Sequence, residues 1–581
     1  MDPVIIVGAG PVGLSLALAL TRRQVPVVVL DEGAGQDEVR TARTVALRPD
    51  TAGFLERMGC APAPGEGTLW TGWRTMRRRK LLHRTEFADV HESRSDTGHG
   101  SGPGGGTGDE PGADAAGESP LHCPQHVLTR RLRAALAKES LAEVVTGSRL
   151  GILEQDEHGV TAHTRSPGDA TAERSAGIWW RGSYLVGCDG PRSTVRKLLE
   201  VRFPGRTAVE RHAVAALRAE LPWPDEAVLH RSPPRGGEVL ARPLPGGRWR
   251  MDWLVPPRGE LVTPEALVTR VRDTLAVWCG HTPPYELLDT GVHTVHHRLA
   301  RRWRVGRAFL AGDAAHLLGA FGTQELDEGL RDADNLAWKL ALAWHHQASE
   351  TLLDSYQAER RTAVGARLRA ADQALPLLRS NSSWPAVRRS LLPGTSGGAD
   401  ALLTDGHVGS GPLGALPVYA RSPLTPPAAS SSGGVPQVAT APGAPVDDVP
   451  VTAPDGSTAR LRDRLGGDLL VVLVAPGTGV WERRHWLGAG LMPRLAAAVS
   501  ALPVRAELLV TEGYPGAAAH TVLAVRPDGH LVAAMSGVRP ADLYSCVDAA
   551  RGGSAATTQG ADSGARADDP ARSAGSASAR R

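Results

Sequence analysis

Three observations predict an α/β protein of more than one domain. The chain opens on an apolar run that breaks into closely spaced glycines and resumes as an apolar helical pattern. Two later apolar runs end on Asp-Gly and Gly-Asp turns. A final unit alternates strand-like with helix-like patterns. The length of 581 residues corresponds to two to four domains at roughly 100 to 200 residues each.

In chain order, Val4-Ile5-Ile6-Val7 reads as a buried strand, Gly8-Ala9-Gly10-Pro11-Val12-Gly13 as a tight turn, and the pattern to Leu20 as a helix ended by Thr21-Arg22-Arg23. A second strand, Val27 to Leu30, finishes at Asp31 and Glu32, with Asp31 18 residues after Gly13. This is the strand, turn, helix and strand order of a dinucleotide fold. Gly8 permits the turn, Gly10 lets backbone approach a pyrophosphate, Gly13 allows close helix packing, and Asp31 is placed to accept from a ribose hydroxyl. The glycines do not by themselves separate FAD from NAD(P). Because the stretch follows Asp2 and contains Gly and Pro, it is read as neither signal peptide nor membrane span.

Further on, Tyr184 to Gly187 leads into Cys188-Asp189-Gly190-Pro191-Arg192, and Ala308 to Ala311 leads into Gly312-Asp313. Arg192 and Arg196 offer charge to phosphates, with a surface role as the alternative for Arg196. The C-terminal unit shows strand-like runs at Leu469 to Val474, Ala506 to Val510 and Thr521 to Val525, and helical patterns at Met492 to Leu502 and Pro540 to Ala550.

Composition narrows the partners. Hydrophobic residues are 41% and charged residues 22%, and the net charge is +3, too balanced for a nucleic-acid or anionic-membrane surface. Five scattered cysteines without a CxxC pair argue against a disulfide framework or zinc site and fit a reducing cytoplasm. The histidine groups His293, His296, His297 and His122, Cys123, His126 lack a plausible set of four metal ligands, so no metal is expected.

With the GxGxxG, DG and GD motifs in this order, the chain resembles the single-component class A FAD-dependent aromatic hydroxylases, in particular the branch acting on phenols, hydroxyphenylpropionates and polyketides. The resemblance covers most of Val4 to Arg361. It extends to Arg43 in ARTVALRPDTAGFLERMG, to Gln125 before a helix, to Gly329 to Leu340, to Leu353 to Arg361, and to Arg248 to Trp253 as a substrate-domain strand. It implies a Rossmann-like FAD-binding domain (1–72, 121–200 and 291–393) interleaved with a β-sheet substrate domain (73–120 and 201–290, with a mobile loop at 93–120). A linker at 394–450, a thioredoxin-like α/β domain without CxxC at 451–551 and a disordered tail at 552–581 complete the expected organisation.

The same resemblance implies non-covalent FAD, NADPH or NADH as co-substrate, and O2. The implied reaction is hydroxylation of an aromatic substrate through a flavin C4a-hydroperoxide. Basic residues are almost all Arg, with Lys only at 80, 138, 197 and 339, which suggests a high-GC genome and a polycyclic polyketide phenol as substrate. A homodimer is the admitted assembly. Baeyer–Villiger oxidation of a polyketide ketone and a non-redox FAD- or polyketide-binding role stand as alternatives. By the resemblance, Asp313 meets the ribityl hydroxyls, Asp189 and Gly190 serve FAD and the pyridine nucleotide, and Gly312, Gln324 and Leu326 join the cofactor residues.

One segment departs from the family. Where a Pro-Pro and Gly-Gly-Gln-Gly pattern is usual, this chain reads Leu317-Leu318-Gly319-Ala320-Phe321-Gly322-Thr323-Gln324-Glu325-Leu326-Asp327-Glu328-Gly329. Acids beside a developing flavin anion oppose reduction, on the order of 4 kcal/mol for a bare pair at 4 Å and an effective dielectric of 20. Either Asp327 and Glu328 cap the next helix and Glu325 is solvated, or Glu325 or Asp327 contacts substrate or removes a phenolic proton.

Overall fold

The computed structural model describes residues 1–35, 39–77, 80–87, 119–166, 177–231, 238–255, 263–319, 325–346, 349–378, 411–426, 438–478, 487–488 and 490–553. Gln324, most of the 93–120 loop and most of the 552–581 tail lie outside them.

The run Val4–Val7 is apolar at every position and is buried on both faces, as a central strand of a parallel sheet must be. It pairs in parallel with Val27–Leu30 on one side and Tyr184–Gly187 on the other. Ala142–Val145 and Ala308–Leu310 extend the sheet in parallel, and Arg304–Val305 closes one edge antiparallel. The strands that feed the glycine turn, Asp189 and Gly312 are therefore consecutive neighbours, and their carboxyl ends open on the same edge of the sheet. That edge is where open α/β sheets take ligands.

Six helices position the site: α1 (Pro11–Thr21), α2 (Pro49–Arg57), α3 (Gln125–Leu136), α4 (Thr194–Leu198), α5 (Pro264–Cys279) and α6 (Glu325–His346). Leu14, Leu16, Leu18 and Leu20 bury α1 against the sheet and α6. An antiparallel meander, Arg149–Gln155, Val160–Arg165 and Ile178–Gly182, fills the crossover before Tyr184.

The second sheet has eight strands, in the order His316–Leu317, Tyr285–Leu299, Gly205–Ala219, Arg248–Val255, Val239–Leu244, Glu226–Arg231, Gly72–Arg77 and Lys80–Glu86. Alternation decides its faces. Trp249, Met251 and Trp253 pack on Leu267, Val271 and Leu275 of α5. On the opposite face Val214 and Ala216 receive Ala42, one residue before Arg43. The expected domain boundary at 290/291 needs correction, because Tyr285–Leu299 is one continuous strand of this sheet.

In the C-terminal unit the parallel pair Leu469–Val474 and Ala506–Thr511 spans the helix Met492–Ser500, a hairpin Thr521–Val525 and Leu531–Ser536 follows, and Pro540–Ala550 covers the sheet. The expected linker is also corrected for its described residues. Leu413, Tyr419, Leu424 and Val446 are buried, and the Arg48 and Arg367 guanidinia donate to carbonyls at Leu413 to Ala415. Apolar side chains in an otherwise Pro- and Gly-rich stretch hold it to the body.

Candidate active site

The glycine turn is built by exclusion. A Cβ on Gly13 would sit 2.1 Å from the Gly8 carbonyl oxygen, and one on Gly8, whose φ is +106°, would sit 2.5 Å from that of Cys188. Gly10 faces open space, and as N-cap of α1 it has no side chain to satisfy the first helical amides. A helix of 11 residues thus presents unsatisfied N–H groups and the positive end of its dipole at an open edge, which suits a pyrophosphate.

Asp31 ends the second strand beside this turn. Its Oδ2 accepts from the Ala9 amide at 2.6 Å and its Oδ1 from the Gly33 amide at 2.7 Å. Two bonds leave acceptor capacity on a carboxylate, so Asp31 both fixes the turn and remains able to take a ribose hydroxyl. Glu32 is exposed, with Arg149 at 3.8 Å.

Arg43 and Gln125, 82 residues apart, meet. Arg43 Nε donates to Gln125 Oε1 at 2.9 Å, and the Gln125 amide donates to the Arg43 carbonyl at 2.9 Å. The Arg43 guanidinium stands exposed at the junction of the two large sheets.

The Gly-Asp turn comes against α1 through Val12. A Cβ on Gly329 would lie 2.6 Å from Val12 Cγ2, and Gly312 Cα is only 3.4 Å from that position. Three elements, the start of α1, the Gly312 turn and the first turns of α6, therefore close on one side chain. Beneath them Asp332 organises the turn: its Oδ2 accepts from the Gly312 amide at 3.0 Å and pairs with His316 Nε2 at 2.8 Å, and its Oδ1 accepts from Arg360 Nε at 2.9 Å. His316 stacks on Trp303 at 5.3 Å. It is fully buried.

Asp313 differs from every acid around it. Among the described residues no donor reaches its carboxylate, and burial, with Glu325 adding like charge, pushes it up to about 7 against the pull of His316 and Arg43. A carboxylate in that position fits a ligand that brings its own hydroxyl donors.

The acids at the start of α6 divide. Glu325 Oε1 accepts from the Leu318 and Gly319 amides at 3.0 and 2.9 Å, so it ties down that backbone and is not simply solvated. Asp327 is buried and turned toward α2, where it accepts from Thr51 Oγ1 at 2.6 Å and from the Arg48 amide at 3.3 Å, with Arg48 Nε at 3.4 Å. These partners correct its reading as a substrate base. Burial, its first cause, still pushes Asp327 up to about 6. Glu328 is fully buried and contacts Arg331, Arg360 and Arg367 at 2.6 to 2.7 Å. Burial works against its charge, and the guanidinia, Arg367 first, outweigh that and hold it well below the usual carboxylate range. Leu326 packs its partly buried side chain against the core.

Two further expectations change. Asp189 is consumed locally, accepting from Ser193 Oγ at 2.5 Å and from the Thr194 and Val195 amides at 2.6 and 3.0 Å, so it caps α4. Gly190 supplies the left-handed φ of +76° that this turn needs. Arg196 is buried, donating to the Ala314 and Pro191 carbonyls at 2.8 Å and stacking over Phe203, so it is neither a phosphate ligand nor a surface residue. Arg192 is exposed. Sequence reading missed the roles of Asp332 and of Arg331, Arg360 and Arg367 around Glu328, whose partners are scattered from Gly312 to Arg367. The local signs were Arg331 and Asp332 within Gly329 to Leu340 and Arg360 within Leu353 to Arg361. Among the described residues no His, Cys, Asp and Glu group is arranged to hold a metal.

These features converge on a known class. The chain belongs to the FAD-binding-domain family, whose description matches residues 1–371. It is 31% identical over 363 residues to the 3-(3-hydroxy-phenyl)propionate/3-hydroxycinnamic acid hydroxylase of Paraburkholderia xenovorans (strain LB400), covering 62% of this chain and 52% of that protein. It is 32% identical over 398 residues to the 6-methylpretetramide 4-monooxygenase of Streptomyces rimosus, covering 67% and 63%. The matched region thus spans half to two thirds of these relatives. The fold is that of the flavin-dependent monooxygenase PieE, solved with FAD and substrate, at a TM-score of 0.70 and 20% identity over 94% of this chain and 98% of that one.

Proposed function

We propose that the protein is an NAD(P)H-dependent flavoprotein monooxygenase that hydroxylates an aromatic, polycyclic phenolic substrate. The observation that carries this reading is the convergence at Val12 of an uncapped helix N-terminus, a Gly-Asp turn with an unsatisfied carboxylate and the start of α6. The residues fit FAD. The α1 amides and Gly10 would take the pyrophosphate, Asp31 a ribose hydroxyl, Asp313 the ribityl hydroxyls, and Arg43 with Gln125 the remaining polar edge. Bound there, FAD supplies hydride acceptance and oxygen activation.

The chain's own part is positional. The Glu328 cluster holds α6 so that its amides point along the edge where the glycine turn ends. The Glu325 bonds hold the Leu318 and Gly319 backbone, and the face of the eight-stranded sheet behind Arg43 walls off water. The C-terminal unit is read as thioredoxin-like on its strand order. With Cys546 its only cysteine, its role is structural. Arg526 in that unit reaches the fully buried Glu359 at 2.6 Å. Five free cysteines support a cytoplasmic setting, and among the described residues no helix is long and apolar enough to cross a membrane. Light scattering reads the assembly directly, a homodimer being the expectation.

The test is anaerobic mixing of FAD-loaded protein with NADPH, with and without a polycyclic phenol, followed at the long-wavelength flavin band. Bleaching that accelerates with the phenol is the expected result. A flavin that stays oxidised in both cases contradicts the reading.

A further inference from the structure

A cavity of about 850 Å³ lies at the junction of the FAD-binding unit and the C-terminal unit. Its walls come from α2, the turn at 61–65, α6 at Leu330 to Asn335, the segment at Leu416 to Tyr419, and the C-terminal unit at Pro445 to Asp448 and Asp528 to His530. None of Gly8 to Gly13, Asp31, Arg43, Gln125 or Asp313 lines it, so it is distinct from the site above. The size and mostly apolar lining are those of small-molecule pockets, which favour such junctions.

The wall offers flat contact. Phe54, Leu330 and several prolines line it, and Tyr419 stacks on His530 at 4.3 Å with 27° between the rings. Most of its charges already have partners: Asp50 has Arg331 at 2.7 Å, Asp448 has Arg460 at 3.0 Å, and Asp528 has Arg526 at 2.5 Å. Asp334 does not. Among the described residues no donor reaches it, and its Oδ1 is buried without a hydrogen bond. Burial pushes this carboxyl up to about 6 although Arg57 lies near. An unsatisfied buried acceptor costs about 1–3 kcal/mol, and a ligand donor would relieve it.

We propose that this inter-unit cavity is a second small-molecule site, taking a flat fused-ring compound whose amine donates to Asp334. The ring system fills the apolar walls beside Tyr419 and His530, and the amine enters between α6 and α2. A compound seated there lies against Arg331 and Asp334, within two turns of the acids that anchor α6, without reaching the glycine turn.

The test is isothermal titration calorimetry of the full-length, FAD-loaded protein with 9-aminoacridine, a planar tricyclic amine. Calorimetry reads binding without turnover, so its result stands apart from whether the flavin is reduced. Saturable one-to-one binding is expected, weakened about tenfold by Asp334→Asn, the change that loss of one charge-assisted hydrogen bond gives. Ala63→Trp, which projects a bulky ring from the cavity wall and leaves Asp334 in place, is expected to weaken it at least as much and keeps the test decisive if Asp334→Asn fails to fold. No saturable binding, or an affinity unchanged in the folded variants, overturns the proposal.

Discussion

Asp313 and Glu328 are carboxylates 15 residues apart that flank the same turn, and their surroundings are opposite. Glu328 is fully buried and meets three guanidinia. Asp313 is partly exposed, and no donor among the described residues reaches it. The first holds helices together, and the second is left to donors from outside the protein. Acid count and proximity to a glycine therefore say little about role; what decides it is whether the protein itself supplies the positive charge.

The sharpest way to break this contrast is Glu328→Gln. It leaves Arg331, Arg360 and Arg367 buried around a neutral group, and truncating one side of a buried ionic cluster costs about 3–5 kcal/mol. Denaturant unfolding should show a loss of that size; a loss under about 1 kcal/mol would mean the cluster is not structural. Next is Gly13→Ala. Its methyl would stand 2.1 Å from the Gly8 carbonyl, so the turn must open. A stability loss of about 1–3 kcal/mol together with failure to retain FAD through gel filtration is expected.

A third experiment reads Asp313 by pH. Its carboxyl is pushed up to about 7, above the unfolded value of about 3.9. Between these values the folded apoprotein holds a proton that the unfolded chain has released, so stability falls as pH rises through that window. Asp313→Asn removes this slope. Its stability relative to the parent should be higher at about pH 8 than at about pH 5, and an equal difference at both would show that Asp313 already has partners. The smallest effect is expected of Asp327→Asn. Turnover at saturating substrate should stay within about twofold, while stability drops by about 1–3 kcal/mol as the Thr51 and Arg48 contacts weaken.

How far the sequence could be read follows the same division. The strand Val4–Val7, the glycine turn and Asp31 were legible because their constraints are local: apolar runs, glycines that exclude Cβ atoms, an acid at a strand end. Arg43 and Gln125 were each singled out only through resemblance, and that they meet across 82 residues was not legible in the sequence. The contacts of Asp189 and Arg196 were not legible because capping and carbonyl contacts use the same residue types as ligand binding. The partners of Asp327 lie on and just before α2, and two partners of Glu328, Arg360 and Arg367, lie after α6, so no spacing rule brings those together; only Arg331, three residues on in the same helix, is within reach of one. The stretch at 411–426 was read as linker from its prolines and glycines, and a few leucines and one tyrosine overrode that composition.

The central claim is that Asp313 faces the cofactor while the acids of α6 face the protein. Titrating apoprotein with FAD and following flavin fluorescence in the parent, Asp313→Asn and Asp327→Asn tests it most directly. The account predicts about tenfold weaker FAD binding for Asp313→Asn, the size of one charge-assisted hydrogen bond, and affinity within about twofold of the parent for Asp327→Asn. Equal losses in both variants, or a loss confined to Asp327→Asn, would contradict it.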